Sequence, residues 1–182
     1  MKIFKSRGMG VLVLVLCILA GTMIGAHRPL AKMARETAAV FYEGADRDGL
    51  GIRNDLEERC SIAYNLTVVA ARNMEPDDSL ITAVRDARNA LLEAKTPSAM
   101  YRADRKLDET VTNLYNTLNR ISLPEKDAKY PSQLYADFIA RADMISRSPY
   151  NRIAEEYNAR LAAFPANILS RLVFVEPVEL YR

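Results

Sequence analysis

Residues 150 to 169 read YNRIAEEYNARLAAFPANIL, and this stretch decides the fold class. Ile153, Tyr157, Leu161 and Phe164 recur at spacings of four, four and three, which is the period of one apolar helix face and not the alternation of a strand. Pro165 then stops the helix, because it brings no backbone N–H and clashes with the preceding turn. Within the stretch the dipeptide Tyr-Asn occurs at 150–151 and again at 157–158, a spacing that puts both pairs on the same face. Asparagine is a poor helix former, so its repetition asks for a reason.

Working outward, Leu134, Phe138, Ala142 and Ile145 form a stripe of the same kind upstream, and Ser148-Pro149 either kinks one long helix or starts a new one. Residues 54 to 73 carry Leu56, Cys60, Ala63, Leu66 or Thr67, and Ala70 at helical spacing, from a start at Asp48 or Asn54. Pro76 ends that helix, and Asp77 or Asp78 is placed to cap the next, predicted over 79 to 94 with Leu80, Val84, Ala87, Leu91 and Ala94 inward. Thr96-Pro97 is a helix start, a cap followed by a residue of pre-set φ. The helix it opens runs to about Ile121 with Ala103, Leu107, Val111, Leu114, Leu118 and Ile121 as its core stripe, and SLPEKDAKYP closes it in an exposed loop. After Pro165 the apolar residues Ile168, Leu169, Leu172, Val173 and Phe174 predict a tail that docks on the bundle or on the bilayer. No strand pattern and no tandem repeat is visible, so the expected fold is all-α, an antiparallel bundle of about four long helices.

At the other end, MGVLVLVLCILAGTMIGA carries no charge from Met9 to Ala26 and as a helix spans about 27 Å, at about 1.5 Å per residue. The expected organisation is a basic tail at 1–8, a transmembrane signal-anchor at 9–26, a juxtamembrane helix and linker at 27–47 around Gly44, Gly49 and Gly51, and the bundle domain with its docked tail at 48–182. Cleavage after Ala26 would place Ile24 where a small residue belongs, which favours an uncleaved anchor. Lys2, Lys5 and Arg7 on one flank are matched by Arg28, Lys32 and Arg35 on the other, so the positive-inside rule is tied. The short basic tail before the first apolar run gives the expectation of a bundle outside the cytoplasm.

Lys and Arg number 25 against 23 Asp and Glu, a net charge of +2 that gives no field for nucleic acid. His27 is the one histidine and lies at the membrane boundary, so no triad or histidine metal site can be built from a single chain. Cys17 lies in the apolar run, and Cys60 at a core position reads as a small apolar filler. Glu57, Glu58, Asp104, Asp108, Asp137 and Asp143 each have Lys or Arg nearby, the pattern of solvated helix faces. No phosphate-cradling glycine loop is present outside the junction. The expectation is therefore no catalytic residue, no cofactor and no metal ligand. The Tyr-Asn pairs Tyr64-Asn65, Tyr115-Asn116, Tyr150-Asn151 and Tyr157-Asn158 allow two readings: amides that fix helix register, or rings and amides that line a groove for a peptide or a partner helix.

AYNLTVVAARN at 63 to 73, YNRIAEEYNARLAAFPANIL at 150 to 169 and EPVELYR at 176 to 182 resemble the LemA family over most of the chain. On that resemblance Asn65, Tyr150, Asn151, Tyr157, Asn158, Phe164, Pro165 and Asn167 fall on the family's Asn-Leu helix, its paired Tyr-Asn helix and its Phe-Pro-x-Asn turn. The departures are the absence of Trp, the sequence NDLEERCSIAYN where the family often has paired arginines, and the Ser148-Pro149 break. The resemblance implies a membrane-bound bundle of long antiparallel helices in the bacterial cytoplasmic membrane and supplies no reaction. The expected function is a non-enzymatic scaffold or adaptor that contacts a protein partner at the membrane. The rivals are an extracytoplasmic receptor for a peptide or small ligand and a metal-assisted hydrolase using bundle carboxylates.

Overall fold

The computed structural model describes residues 7 to 76 and 78 to 182, and among these every regular element is helical. The elements are α1 (Arg7–Glu43), α2 (Ile52–Asn73), α3 (Ser79–Glu93), α4 (Pro97–Leu118), α5 (Glu125–Ala128), α6 (Tyr130–Arg147), α7 (Tyr150–Ala162) and α8 (Ala166–Leu172). Beyond α8 the chain runs on without regular structure to Arg182. Lys2, Lys5 and the alternative cap Asp77 lie outside the described residues.

Two compact units are formed. One comprises the described residues up to Ala38 together with Ile153–Val178; the other comprises Ala39–Arg152 and Glu179–Arg182. The second holds the helical body, in which α2 packs on α3, α4 and α6, α3 packs on α4, and α4 packs on α6. Its core is the set of stripes read from the sequence: Leu56, Cys60, Ala63, Leu66 and Ala70 from α2, Val84, Ala87 and Leu91 from α3, and Leu107, Val111, Leu114 and Leu118 from α4. Each buried leucine or valine in this set stabilises the fold by roughly 1.5–3 kcal/mol.

The helix starts follow the expected chemistry. Asp78 accepts from the Leu80 backbone N–H at 2.8 Å, and the Thr96 side chain accepts from Ala99 N–H with Pro97 in the first turn. Ser148-Pro149 starts a new helix, since α6 ends at Arg147 and α7 begins at Tyr150. Several register assignments are corrected. Ile81, fully buried, heads the α3 stripe where Leu80 was expected. α4 stops at Leu118, leaving Ile121 exposed, and Met100 and Asp104 join its buried stripe while Ala103 is only half-buried. Phe164 lies past the end of α7 and is 81% exposed, so the inward row of α7 is Tyr150, Ala154, Tyr157 and Leu161.

The apolar run and the segment read as a separate juxtamembrane helix form one helix, α1, which continues through Pro29. It is long and apolar enough to cross a membrane, and its most apolar 18-residue window has no buried share. The helix ends in the second unit, where Phe41 is fully buried against the rings of Tyr150 at 5.1 Å and Tyr181 at 6.0 Å. Gly51, at the start of α2, closes this junction: a Cβ there would lie 2.5 Å from the Phe41 carbonyl oxygen and 2.7 Å from the Tyr42 carbonyl carbon.

Candidate functional site

The two asparagines that the α7 sequence spaces seven apart perform the same task. In the second unit the Asn151 amide donates from Nδ2 to the Tyr181 carbonyl at 2.9 Å and accepts on Oδ1 from the Tyr181 N–H at 2.8 Å. In the first unit Asn158 does this for Val178, with both distances 2.8 Å. A primary amide offers a donor and an acceptor side by side, as a neighbouring strand does, so each asparagine holds one residue by its main chain alone. These are the partners that make asparagine worth its helix-propensity cost.

Within the second unit the held segment inserts the Tyr181 side chain into a socket. The Tyr181 ring is buried edge-on to Tyr101 at 5.3 Å, and its hydroxyl donates to Asp104 Oδ2 at 2.9 Å. The Glu179 carboxylate accepts from the Ser98 hydroxyl at 2.8 Å and from the Ser98 N–H at the start of α4, while the Tyr150 hydroxyl donates to the Glu179 carbonyl. Behind Tyr181 lies Arg59, 1% exposed and the largest fully buried side chain. Its guanidinium pairs with Asp104 at 2.8 Å, an ion pair more than an aligned hydrogen bond, and with Asp108 at 2.9 Å. It also donates to the Phe138 carbonyl at 3.2 Å and lies over the Phe138 ring at 3.8 Å. A polar cavity of about 330 Å³ opens beside the network, bounded by Arg59, Tyr101, Asp104, Asp108, Ser146 and Tyr181.

Burial dominates the electrostatics. It pushes the Asp104 carboxyl above its ordinary range even though Arg59 and the Tyr181 hydroxyl pull it down. The Tyr181 phenol is driven up by burial and then by the Asp104 charge, and burial pushes Tyr150 up to about 12, so both stay protonated as hydrogen-bond donors. Hydrogen bonds from Ser98 and Thr96 hold Glu179 below the usual carboxylate range. Cys60 is a buried thiol whose pKa burial raises to about 11, which suits a filler and not a nucleophile.

Of the candidate residues, Tyr150 and Asn151 meet at the socket. Tyr157 is buried with no partner for its hydroxyl among the described residues, and Asn158 forms the second clamp. Tyr64 is 52% exposed beneath the Arg88 guanidinium, and Asn65 is exposed beside it in sequence. Tyr115 stacks on Tyr135 at 3.9 Å and Asn116 is exposed, so Tyr64, Tyr115 and Tyr150 have separate surroundings. Phe164 and Pro165 form an exposed turn, and Asn167 helps line a cleft with Asn158 and Leu161. The reading of Asp104 as part of a solvated face is corrected: it is buried, and Asp108 is half-buried on the same arginine. Arg59, Glu179 and Tyr181 were not singled out from the sequence. The signal was present: Arg59 interrupts the row Leu56, Cys60, Ala63 and Asp104 interrupts the row Met100, Leu107, Val111, opposite charges set into two core stripes.

A helical bundle that follows one long bare apolar helix, with an irregular C-terminal segment held by asparagine clamps, defines a class of candidate membrane-anchored bundle proteins. The family model described as "LemA family" matches residues 50–182, and the chain belongs to the LemA family. No curated protein matches the sequence.

Proposed function

We propose that this LemA-family protein is a non-catalytic scaffold that holds its helical bundle at the bacterial cytoplasmic membrane and works through contacts with a protein partner. The observation that carries the reading is the bare apolar face of α1, none of whose most apolar window is covered by the rest of the protein. A surface of that length and character is matched by a bilayer and not by water. The proposed orientation puts the bundle outside the cytoplasm, on the signal-anchor layout of a short basic tail ahead of the apolar run. Glu125, exposed at the start of α5, is the test position. With Glu125→Cys in a Cys60→Ser background, a membrane-impermeant maleimide should label intact cells; protection until lysis would reverse the orientation. A purified protein that turns over a substrate, and loses that activity on one carboxylate substitution that leaves it folded, would overturn the non-catalytic part.

A second reading, a receptor for an extended peptide, is favoured by the Asn151 clamp, which grips main chain without reading a side chain. Full-length Tyr181→Ala protein should then bind a labelled peptide of residues 176 to 182 added in trans, with binding lost when Asn151→Ala is added. Absence of binding by the single variant would retire this reading.

A further inference from the structure

Among the described residues, four large apolar side chains close together in the chain remain uncovered: Phe164 at 81% exposure, Ile168 at 52%, Leu172 at 47% and Phe174 at 88%. Ile168 and Leu172, spaced by four, share one side of α8, with Phe164 in the turn that leads into it and Phe174 just beyond its end, while Ser170 and Val173 are buried. A short helix facing water would be turned the other way. Scattered exposed leucines need no explanation, but two aliphatics on one helix side with an exposed phenylalanine at either end of the helix make an interaction surface.

The same unit fixes what this surface meets. Val173 and Phe174 share a cleft of about 460 Å³ with Met23, Ile24, His27 and Arg28 of α1. Those α1 residues straddle the point where the uncharged run ends at Ala26 and the polar part of the helix begins. If α1 spans a bilayer, that point lies where hydrocarbon gives way to headgroups. Phe174 would then lie at the depth of the bilayer interface; it lines a cleft with the exposed basic residues Arg28 and Arg35 of α1 and is within a few positions of Arg171 of α8. Glu176 is the acidic residue on that wall. An apolar row with basic residues around it is the composition of a segment lying in the interfacial layer, its apolar side roughly 5–10 Å below the phosphates.

We infer that α8 and its flanks form a membrane foot: Phe164, Ile168, Leu172 and Phe174 rest in the interfacial layer of the phospholipid bilayer that α1 crosses, with Arg28 and Arg171 toward the phosphates. This rests on the anchor reading of α1, and the test separates the two. The chain contains no Trp, so a single introduced Trp is a clean fluorescent reporter. Full-length Phe174→Trp, Val15→Trp and Tyr64→Trp are reconstituted into phosphatidylcholine–phosphatidylglycerol vesicles containing lipids brominated at shallow or at deep acyl positions. All three sites are exposed in the protein, so each substitution leaves the core intact.

The foot requires Phe174→Trp to emit at blue-shifted wavelength, to be quenched at least twofold by shallow bromines and to resist aqueous iodide, while Tyr64→Trp behaves as a water-exposed indole. Deep-bromine quenching of Val15→Trp combined with free iodide access to Phe174→Trp overturns the foot and leaves the anchor standing. Loss of lipid quenching at both sites overturns both. Quenching at 174 without quenching at 15 overturns the anchor and, with it, the placement of the foot beside a crossing α1.

Discussion

Arg59 and Asp104 stand where the helical period asks for leucine, and their pairing determines what each can tolerate. The guanidinium has given up its water for two carboxylates, one carbonyl and one ring face. Removing one side of such a pair leaves the other charge buried and unmatched, at a cost of about 3–5 kcal/mol. Arg59→Met should therefore lower the unfolding free energy by about that amount in urea titrations followed by circular dichroism, more than any substitution at exposed Arg102 or Arg105. Asp104 adds a pH signature. Its folded pKa lies above the unfolded value of about 3.9, so the folded state binds its proton more tightly. The stability it contributes is then complete below the ordinary carboxylate range and is lost as pH rises through the raised value. In paired melts from acid toward neutrality, wild type should lose ground relative to Asp104→Asn; a constant gap would remove the burial argument. At this scale the sequence was least legible. Arg or Lys neighbours along the helix make a solvated face and a buried pair look alike, and only the partner helix distinguishes them.

Helix starts and stops were the most legible elements, because they depend on local chemistry: the Asp78 carboxylate, the Thr96-Pro97 pair and the Ser148-Pro149 break act within a turn of themselves. Register along α3 was not, since Leu80 and Ile81 are equally apolar and packing chose the second. The paired asparagines of α7 were legible as an anomaly but not as to partner, because sequence spacing places both amides on one face without saying that the main chain of the C-terminal segment and not a helix faces them. Each clamp supplies two hydrogen bonds of about 1 kcal/mol net, so Asn151→Ala should speed hydrogen exchange at the Tyr181 amide by about tenfold to a hundredfold. Asn158→Ala should do the same at Val178, whereas Asn65→Ala and Asn116→Ala, both at exposed positions, should leave these amides unchanged.

For the whole molecule, the fold class and the apolar helix were readable because both are repeated many times over along the chain. The family match begins at residue 50, yet the core of the second unit includes Phe41 from α1. A protein beginning at residue 39 should therefore unfold about 3–5 kcal/mol harder than one beginning at residue 50, in which the Tyr150 and Tyr181 rings face an empty Phe site. Equal stability would mean that these rings close the gap themselves. Gly51 sets a different kind of limit. Ala45 and Asp46 in the preceding turn are exposed and can change side chain freely, but at 51 the main chain of Phe41 and Tyr42 occupies the space that any side chain needs. The stretch of the protein that looks most expendable thus contains the position with the smallest alphabet. A loop grafted across this turn would therefore have to keep a glycine at 51, whatever it carries at 45 and 46.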